Sequence, residues 1–225
     1  MKYLNLAISP AKADRLFWLG RYAERASLAL HLLRKFCNAG IDAVGENPLL
    51  KFASLMGVPA DAPTAGVFVS DYLYSDENPY SVASMLAAAK NNAMLERNDI
   101  KSETLAYIEL SVNILSKAKA NACGVFALQP VSDYLMAFWG AVDENIPSRS
   151  VRNILLLGRY VERLDIMIRF GYASERIADV LSRLESIDEA ELALCDADSL
   201  AFIKSKVGSS DSAEALARLN ALFAA

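Results

Sequence analysis

Two segments of the sequence carry the same charged residues at the same spacing. In each, leucine, glycine, arginine, tyrosine, glutamate and arginine recur in one order, and their charged positions are Arg21, Glu24, Arg25, Arg159, Glu162 and Arg163. Residues three and four positions apart lie on one face of a helix, so each segment presents one cluster of charge. Arginine offers a planar, forked donor that suits a carboxylate or a phosphate, and a neighbouring glutamate orients it. One chemistry that this pattern supports is therefore the recognition of an anion.

A second interpretation of the same residues is internal. Buried charges must be paired whether or not they do chemistry, and on this interpretation the arginines and glutamates form ion pairs that lock two helices together. Each segment also contains a glycine, Gly20 or Gly158, although a glycine inside a helix costs about 1 kcal/mol relative to alanine. Its recurrence predicts that two helix backbones approach closely, most simply the first helix against its later counterpart. The two interpretations are compatible.

Most catalytic and metal-binding patterns are absent from the sequence. The only histidine is His31, which excludes a histidine-cluster metal site and the Glu-x-x-His pattern of di-iron bundles. The three cysteines include no CxxC pair, and each is predicted to be a small buried apolar residue. Neither a Walker A sequence nor a GxGxxG segment occurs. We therefore predict no metal and no cofactor, and any catalysis would rest on side chains better suited to binding anions than to acting alone.

The composition favours a helical protein without nucleic-acid or membrane partners. Apolar residues make up 54% of the 225 residues, and ten glycines and seven prolines are few for that length, which favours helices with short connections. The net charge of −4 lacks the basic excess of nucleic-acid-binding proteins. No uninterrupted apolar stretch approaches the roughly 18 residues of a membrane span. The apolar run before Ser9 is too short for a secretory signal, so we expect a cytoplasmic protein.

Apolar periodicity and capping residues predict the elements that position the charged segments. Nine helices are expected, at residues 12–38, 48–56, 65–73, 79–97, 102–120, 130–144, 149–184, 189–206 and 212–223. Gly40 is expected to cap the first helix in a left-handed conformation. Asn78 is expected to cap the fourth helix and Pro79 to begin it. Ser148 is expected to cap the second long helix, in which Gly171 produces a bend or a close contact.

These elements predict an all-α fold, an antiparallel helical bundle formed by residues 1–225 as a single domain. The two long helices that carry the repeated segments are expected to be pseudo-symmetric. The two segments lie too far apart in the sequence for a solenoid repeat, which indicates two related halves instead. Asn92 lies in mid-helix, where asparagine is mildly unfavourable. Either a solvated helix face or a side chain that reaches a shared polar pocket explains it. Asn92 therefore joins Asn78 as a second-tier candidate for a binding site.

The repeated segments and their neighbours resemble a known family. Residues 16–25, Leu-Phe-Trp-Leu-Gly-Arg-Tyr-Ala-Glu-Arg, resemble the opening signature of the alpha-E domain family, bacterial all-helical proteins named for an ER motif. The resemblance continues through residues 76–82, 89–93 and 157–165, with Arg169. It is weaker at residues 90–94, where this chain carries less charge than the family pattern.

The resemblance implies a role beside amide-forming enzymes, because members commonly accompany ATP-grasp type ligases and transglutaminase-like or amidotransferase proteins. Our leading hypothesis is an accessory or interaction domain for an ATP-grasp peptide or amide ligase, non-catalytic on its own. Four arginines would hold a carboxylate or phosphate of a peptide or small anionic ligand, and two glutamates would orient them: Arg21, Arg25, Arg159 and Arg163, with Glu24 and Glu162.

Two alternatives stay open at this point. In the first, the chain is a stand-alone enzyme that forms or cleaves amide bonds, with the Arg/Glu cluster stabilising an anionic intermediate. In the second, the ER segments are purely structural and only hold the helices together. No catalytic residue is assigned, and the hypothesis leans against catalysis by the isolated chain.

Overall fold

The structure is a computed structural model that describes residues 8–41, 47–188, 195–206 and 212–222. Within these ranges the regular secondary structure is helical and no strand is present. The prediction of an all-α helical bundle is confirmed. In the same ranges, no helix combines the length and the apolarity needed to cross a bilayer.

Eleven α-helices and one short 3-10 helix lie in the described residues. They are α1 Pro10–Ile41, α2 Pro48–Met56, α3 Ala65–Tyr74, α4 Val82–Leu95, α5 Arg97–Ile100, α6 Ser102–Ala120, the 3-10 helix Val125–Leu128, α7 Gln129–Asn145, α8 Arg149–Arg169, α9 Ser174–Ile187, α10 Ala197–Lys206 and α11 Ser212–Ala221.

Side-chain caps determine where several of these helices begin. The Asn47 side chain accepts a hydrogen bond from the backbone N–H of Leu49, at the start of α2. The Ser148 side chain accepts one from Val151 N–H, at the start of α8. Each bond satisfies one of the N–H groups that a helix leaves unpaired in its first turn. The predicted starts of these two helices are confirmed.

The predicted left-handed cap at Gly40 is wrong. Helix α1 continues through Gly40 to Ile41, and the described glycines with positive φ are Gly57 and Gly171. Glycine permits the left-handed conformation but does not require it, so a glycine near the end of a helical pattern is only a weak stop signal.

The predicted start of the fourth helix at Asn78 and Pro79 is also wrong. Helix α4 begins at Val82, and its cap is Ser81, whose side chain accepts a hydrogen bond from Ser84 N–H. The Asn78 side chain instead stabilises the preceding turn, where its Oδ1 accepts a hydrogen bond from Tyr80 N–H at 2.9 Å. Both residues have the chemistry of a cap, and Ser81 is the one that is buried beneath the first turn.

The second long helix is shorter than predicted, because Gly171 ends it rather than bends it. Gly171 has a φ of +61°, and Tyr172 N–H donates to the carbonyl of Met167 at 3.0 Å. This is the hydrogen bond of a Schellman cap, which closes α8 at Arg169 before α9 begins at Ser174. Of the predicted helix at 189–206, residues 189–194 lie outside the described ranges, and α10 covers the rest from Ala197.

The chain divides into two compact units, and α1 belongs to both. The first unit comprises Met1–Arg21 with Pro147–Ala225, and the second comprises Tyr22–Ile146. In the first unit, α8 packs against α9 and α11, and α10 packs against α11. In the second unit, α6 packs against α4 and α7. The single-domain organisation stays a prediction, as does the pseudo-symmetry of the two long helices.

Within the first unit, two glycines bring the backbones of α1 and α8 together. A Cβ built on Gly20 would overlap the carbonyl oxygen of Leu155 and lie 3.1 Å from Arg159 N. A Cβ built on Gly158 would overlap the carbonyl oxygen of Phe17 and would lie 3.1 Å from the backbone N of Arg21. The contacts are reciprocal, and the predicted close backbone approach at both glycines is confirmed.

Alanine at either glycine should therefore destabilise the protein. The new methyl group meets a backbone carbonyl that cannot rotate away, so Gly20→Ala and Gly158→Ala should each lower the free energy of unfolding by about 1–3 kcal/mol or more. Gly140→Ala is the matched control in α7, because nothing lies within 4 Å of the added Cβ. The control should gain up to about 1 kcal/mol from the better helix propensity of alanine. Urea unfolding measures all three, and wild-type stability of both Gly20→Ala and Gly158→Ala would contradict the close approach.

Candidate functional site

One charged residue from each ER segment meets in a buried ion pair. Arg21 projects from α1 and Glu162 from α8, and Arg21 Nε donates to Glu162 Oε2 at 2.8 Å. The two side chains are 8% and 1% exposed. The close approach at Gly20 and Gly158 brings the two helix faces near enough for this bond to form directly. The pair joins residues that are 141 positions apart in the sequence.

A second ion pair lies one turn further along α8. Arg169 Nε donates to Asp165 Oδ2 at 2.6 Å, and its Nη2 donates to Asp165 Oδ1 at 3.4 Å. The Asp165 side chain is 1% exposed, whereas that of Arg169 is 32% exposed. Fork-like contact of this kind is among the stronger charged interactions in proteins.

Asn220 of α11 joins the two ion pairs through its carboxamide. Its Oδ1 accepts a hydrogen bond from Arg21 Nη2 at 3.1 Å, and its Nδ2 donates to Asp165 Oδ1 at 3.1 Å. Nδ2 also donates to the carbonyl of Leu216 at 3.0 Å. We call these five side chains the ER network: Arg21, Glu162, Asp165, Arg169 and Asn220. Its charges cancel, because each arginine faces one carboxylate and the carboxamide is neutral.

An aromatic ring on α1 flanks the network. The guanidinium carbon of Arg21 lies 5.1 Å from the centroid of the Trp18 ring, within the range of a cation–π contact. Trp18 is 37% exposed. The indole therefore covers one side of a nearly buried arginine and reaches solvent itself.

These contacts favour the internal interpretation for Arg21 and Glu162. The two charged groups lie 2.8 Å apart and are almost fully buried, so they stabilise the fold only when their hydrogen bonds are made. Removal of one charged side chain would leave the other buried without a partner of opposite charge. Arg21 uses its Nε on Glu162 and its Nη2 on Asn220. In this structure both nitrogens therefore bond to groups of the chain itself.

The other predicted site residues are placed differently. Arg159 and Arg163 lie half-buried on α8, while Glu24 is buried and Arg25 half-buried on the part of α1 in the second unit. All four have interaction partners in the structure.

The two asparagines chosen from the sequence also lie in the second unit. Asn78 is in the turn before α4, where its Nδ2 donates to Asp71, and Asn92 is half-buried on α4. Among the eight candidates, Arg21 and Glu162 are bonded directly to each other.

Sequence reasoning missed three members of the ER network as site residues. The spacing of Glu162, Asp165 and Arg169 along one helix face was a usable signal for two of them. Asn220 gave no such signal, because it lies 199 positions from Arg21 in the sequence.

A groove in the second unit was also not predicted. It has a volume of about 820 Å³, is lined mostly by apolar side chains, and lies between α1, α2, α3 and the segment around Cys123. Tyr74 Oη donates to the carbonyl of Cys123 at 2.6 Å beside this groove. Cys37 also lines it, and burial raises the pKa of the Cys37 thiol. The groove has the size and the apolar lining of a small-ligand site.

The cysteines are less buried than predicted. Cys37, Cys123 and Cys195 are all half-buried and none forms a disulfide within the described residues. Cys37 and Cys123 line the groove rather than the core. The spacing of the cysteines in the sequence does not predict this position.

Loss of one partner of the buried ion pair should be costly. Glu162→Gln keeps the shape of the side chain but strands Arg21, so we expect a loss of about 3–5 kcal/mol in the free energy of unfolding. Asp76→Asn is the matched control, because it breaks the exposed pair between Asp76 and Lys119, for which we expect a loss below about 1 kcal/mol. Urea unfolding of both variants measures the difference. A Glu162→Gln protein within about 0.5 kcal/mol of wild type would rule out a structural role for the pair.

Stability should also fall at high pH through Tyr74. Burial raises the pKa of the Tyr74 phenol above its ordinary value of 10.0, and the neighbouring Cys123 raises it further. The unfolded chain therefore releases this proton more readily, so the stabilisation is complete below about pH 10 and is lost as the pH rises towards the folded pKa. Unfolding of wild type and Tyr74→Phe should show a stability difference that shrinks above about pH 10. Tyr80→Phe, at an exposed tyrosine, is the control, and an equal pH trend for both variants would contradict the assignment.

The chain matches the model of a known protein family. Residues 10–217 match the model of the Alpha-E family, described as a predicted alpha-helical domain with a conserved ER motif. The curated proteins and the solved structures that were compared contain no match to the chain. The family match includes both ER segments and therefore Arg21 and Glu162, which form the buried pair. Since the match covers nearly the whole chain, the protein belongs to the Alpha-E family.

Proposed function

We propose that this chain is a non-catalytic accessory or interaction domain that works beside an ATP-grasp type ligase in forming or modifying peptide or amide bonds. The observation that carries the proposal is the internal pairing of the ER network. A catalytic group must meet its substrate, whereas Arg21 and Glu162 are nearly buried and bonded to each other. Such a network suits a domain that maintains a binding surface. The ligase partnership follows from the family resemblance, and the cytoplasmic location is part of the proposal because such ligases consume ATP.

In this proposal the two kinds of ER arginine have different roles. Arg21 has a structural role, because its bond to Glu162 links α1 to α8. Arg159, Arg163 and Arg25 are half-buried, so part of each side chain reaches solvent. A partly exposed guanidinium can add a contact to a carboxylate or phosphate while it keeps its other partners. Arg159 and Arg163, both on α8 in the first unit, are the proposed contacts for a peptide or a small anionic ligand.

Affinity capture with the full-length tagged chain tests the partnership. The wild-type protein is compared with Arg159→Ala/Arg163→Ala and with Arg183→Ala, an exposed arginine of α9 that serves as control. We expect wild type and control to retain an ATP-grasp ligase or a transglutaminase-like protein from the native cells. The double variant, shown by circular dichroism to be folded, should retain about tenfold less, the loss expected from about 1.4 kcal/mol of binding energy.

Two results would contradict the proposal. Recovery of neither protein class by the wild-type chain at low salt would remove the ligase partnership. Formation or cleavage of amide bonds by the purified chain would instead favour the stand-alone enzyme. In that case the residue set to test first is the half-buried Arg25, Arg159 and Arg163, because they reach solvent.

A further inference from the structure

The carboxamide of Asn220 lies between a donor and an acceptor that are both nearly buried. Arg21 Nη2 donates to its oxygen and Asp165 Oδ1 accepts from its nitrogen, each at 3.1 Å. Arg21 and Asp165 are buried, whereas Asn220 is exposed. The carboxamide therefore covers these two groups from the solvent side, as a bound ligand would.

The arrangement selects a neutral amide over an ion. A carboxylate in the place of the carboxamide would turn one oxygen towards Arg21 and the other towards Asp165, where two negative oxygens would repel each other. An ammonium group would place its positive charge next to the positive charge of the Arg21 guanidinium, which is also repulsive. Glu162 pairs with Arg21 and Arg169 pairs with Asp165, so the five side chains of the ER network carry no net charge among themselves. A primary carboxamide supplies both an acceptor and a donor on one planar group.

The occupant belongs to a short helix at the end of the chain. Helix α11 spans ten residues, Ser212–Ala221, and a helix shorter than about 12 residues is marginal on its own in water. It packs against α8 and α10 through buried Ala215 and Leu219, with buried Leu222 just beyond. Asn220 also lies beyond residue 217, where the match to the family ends. Asn220 itself is exposed, and its described side-chain contacts are the hydrogen bonds of the carboxamide to Arg21, to Asp165 and to the Leu216 carbonyl.

We propose that Arg21 and Asp165 form a carboxamide-binding site, and that Asn220 occupies it in this structure as an intramolecular ligand. The external ligand is an asparagine or glutamine side chain of a peptide, which takes the place of the Asn220 carboxamide. Trp18, partly exposed beside Arg21, provides an aromatic wall for the methylene group of such a side chain. The inference goes beyond the proposed function, because it concerns the first unit alone and requires no ligase partner.

The test uses the full-length Asn220→Ala variant and small probes of known chemistry. Acetamide reproduces the asparagine side chain, acetate replaces it by a carboxylate, and N,N-dimethylacetamide keeps the carbonyl but lacks the N–H donor. Binding is followed by NMR at the Nε–Hε resonance of Arg21, assigned by its loss in Arg21→Lys. Because Asn220 is exposed, its truncation leaves no cavity in the core. Asn220→Ser is the second variant if the alanine protein does not fold.

We expect acetamide to shift the Arg21 resonance saturably in Asn220→Ala and to bind wild type about tenfold more weakly, because Asn220 competes there. Acetate and dimethylacetamide should each bind the variant about tenfold more weakly than acetamide. A glutamine peptide should then compete with acetamide, and the matching glutamate peptide should not. Equal shifts with acetamide and dimethylacetamide, or no saturable shift in either variant, would overturn the proposal and leave Asn220 as an internal contact only. Neither result bears on the ligase partnership, since the purified chain is used throughout.

Discussion

The approach of two helix backbones at Gly20 and Gly158 is the constraint on which the charged centre of the first unit depends. A side chain at either position would overlap a carbonyl oxygen of the facing helix. The contact therefore requires glycine, despite its cost of about 1 kcal/mol in each helix. At this separation Arg21 reaches Glu162 directly at 2.8 Å. A wider spacing would leave two charges partly desolvated without their hydrogen bond, which is the costly arrangement.

Burial then dictates the rest of the network. A charged pair removed from water needs its remaining donors and acceptors satisfied, because the low dielectric that strengthens the pair also penalises every unmade bond. Arg21 and Asp165 each have a partner of opposite charge, and each has a further hydrogen bond to Asn220. A helix from the end of the chain thereby completes a centre built by α1 and α8. The stability of that centre and the position of α11 are thus coupled through one carboxamide.

The repeated segments were readable from the sequence because their information is local. Spacing placed the charges on one helix face, and paired glycines predicted the close approach, which the structure confirms. The end of α8 was missed because only the left-handed φ of Gly171 distinguishes a stop from a bend. Asn220 and the groove near Cys123 were missed for a different reason. Both depend on residues distant in the sequence that meet in the fold, and no local pattern encodes such a meeting.

The charge of the residues in a sequence motif does not predict the charge of the group that they bind when those residues are buried, because buried charges are paired within the protein. Arginine clusters in a sequence suggest an anion, because an isolated guanidinium carries a full positive charge. In the ER network that charge is cancelled within 2.8 Å by Glu162, and Asp165 stands on the other side of the Asn220 carboxamide. Towards the Asn220 carboxamide, the network therefore presents one hydrogen-bond donor and one acceptor in fixed directions, and no net electrostatic attraction. Selection by hydrogen-bond geometry favours neutral groups, and discrimination arises because a wrong partner leaves a buried polar atom unpaired. A carboxamide satisfies both positions, and that is the group the fold itself supplies.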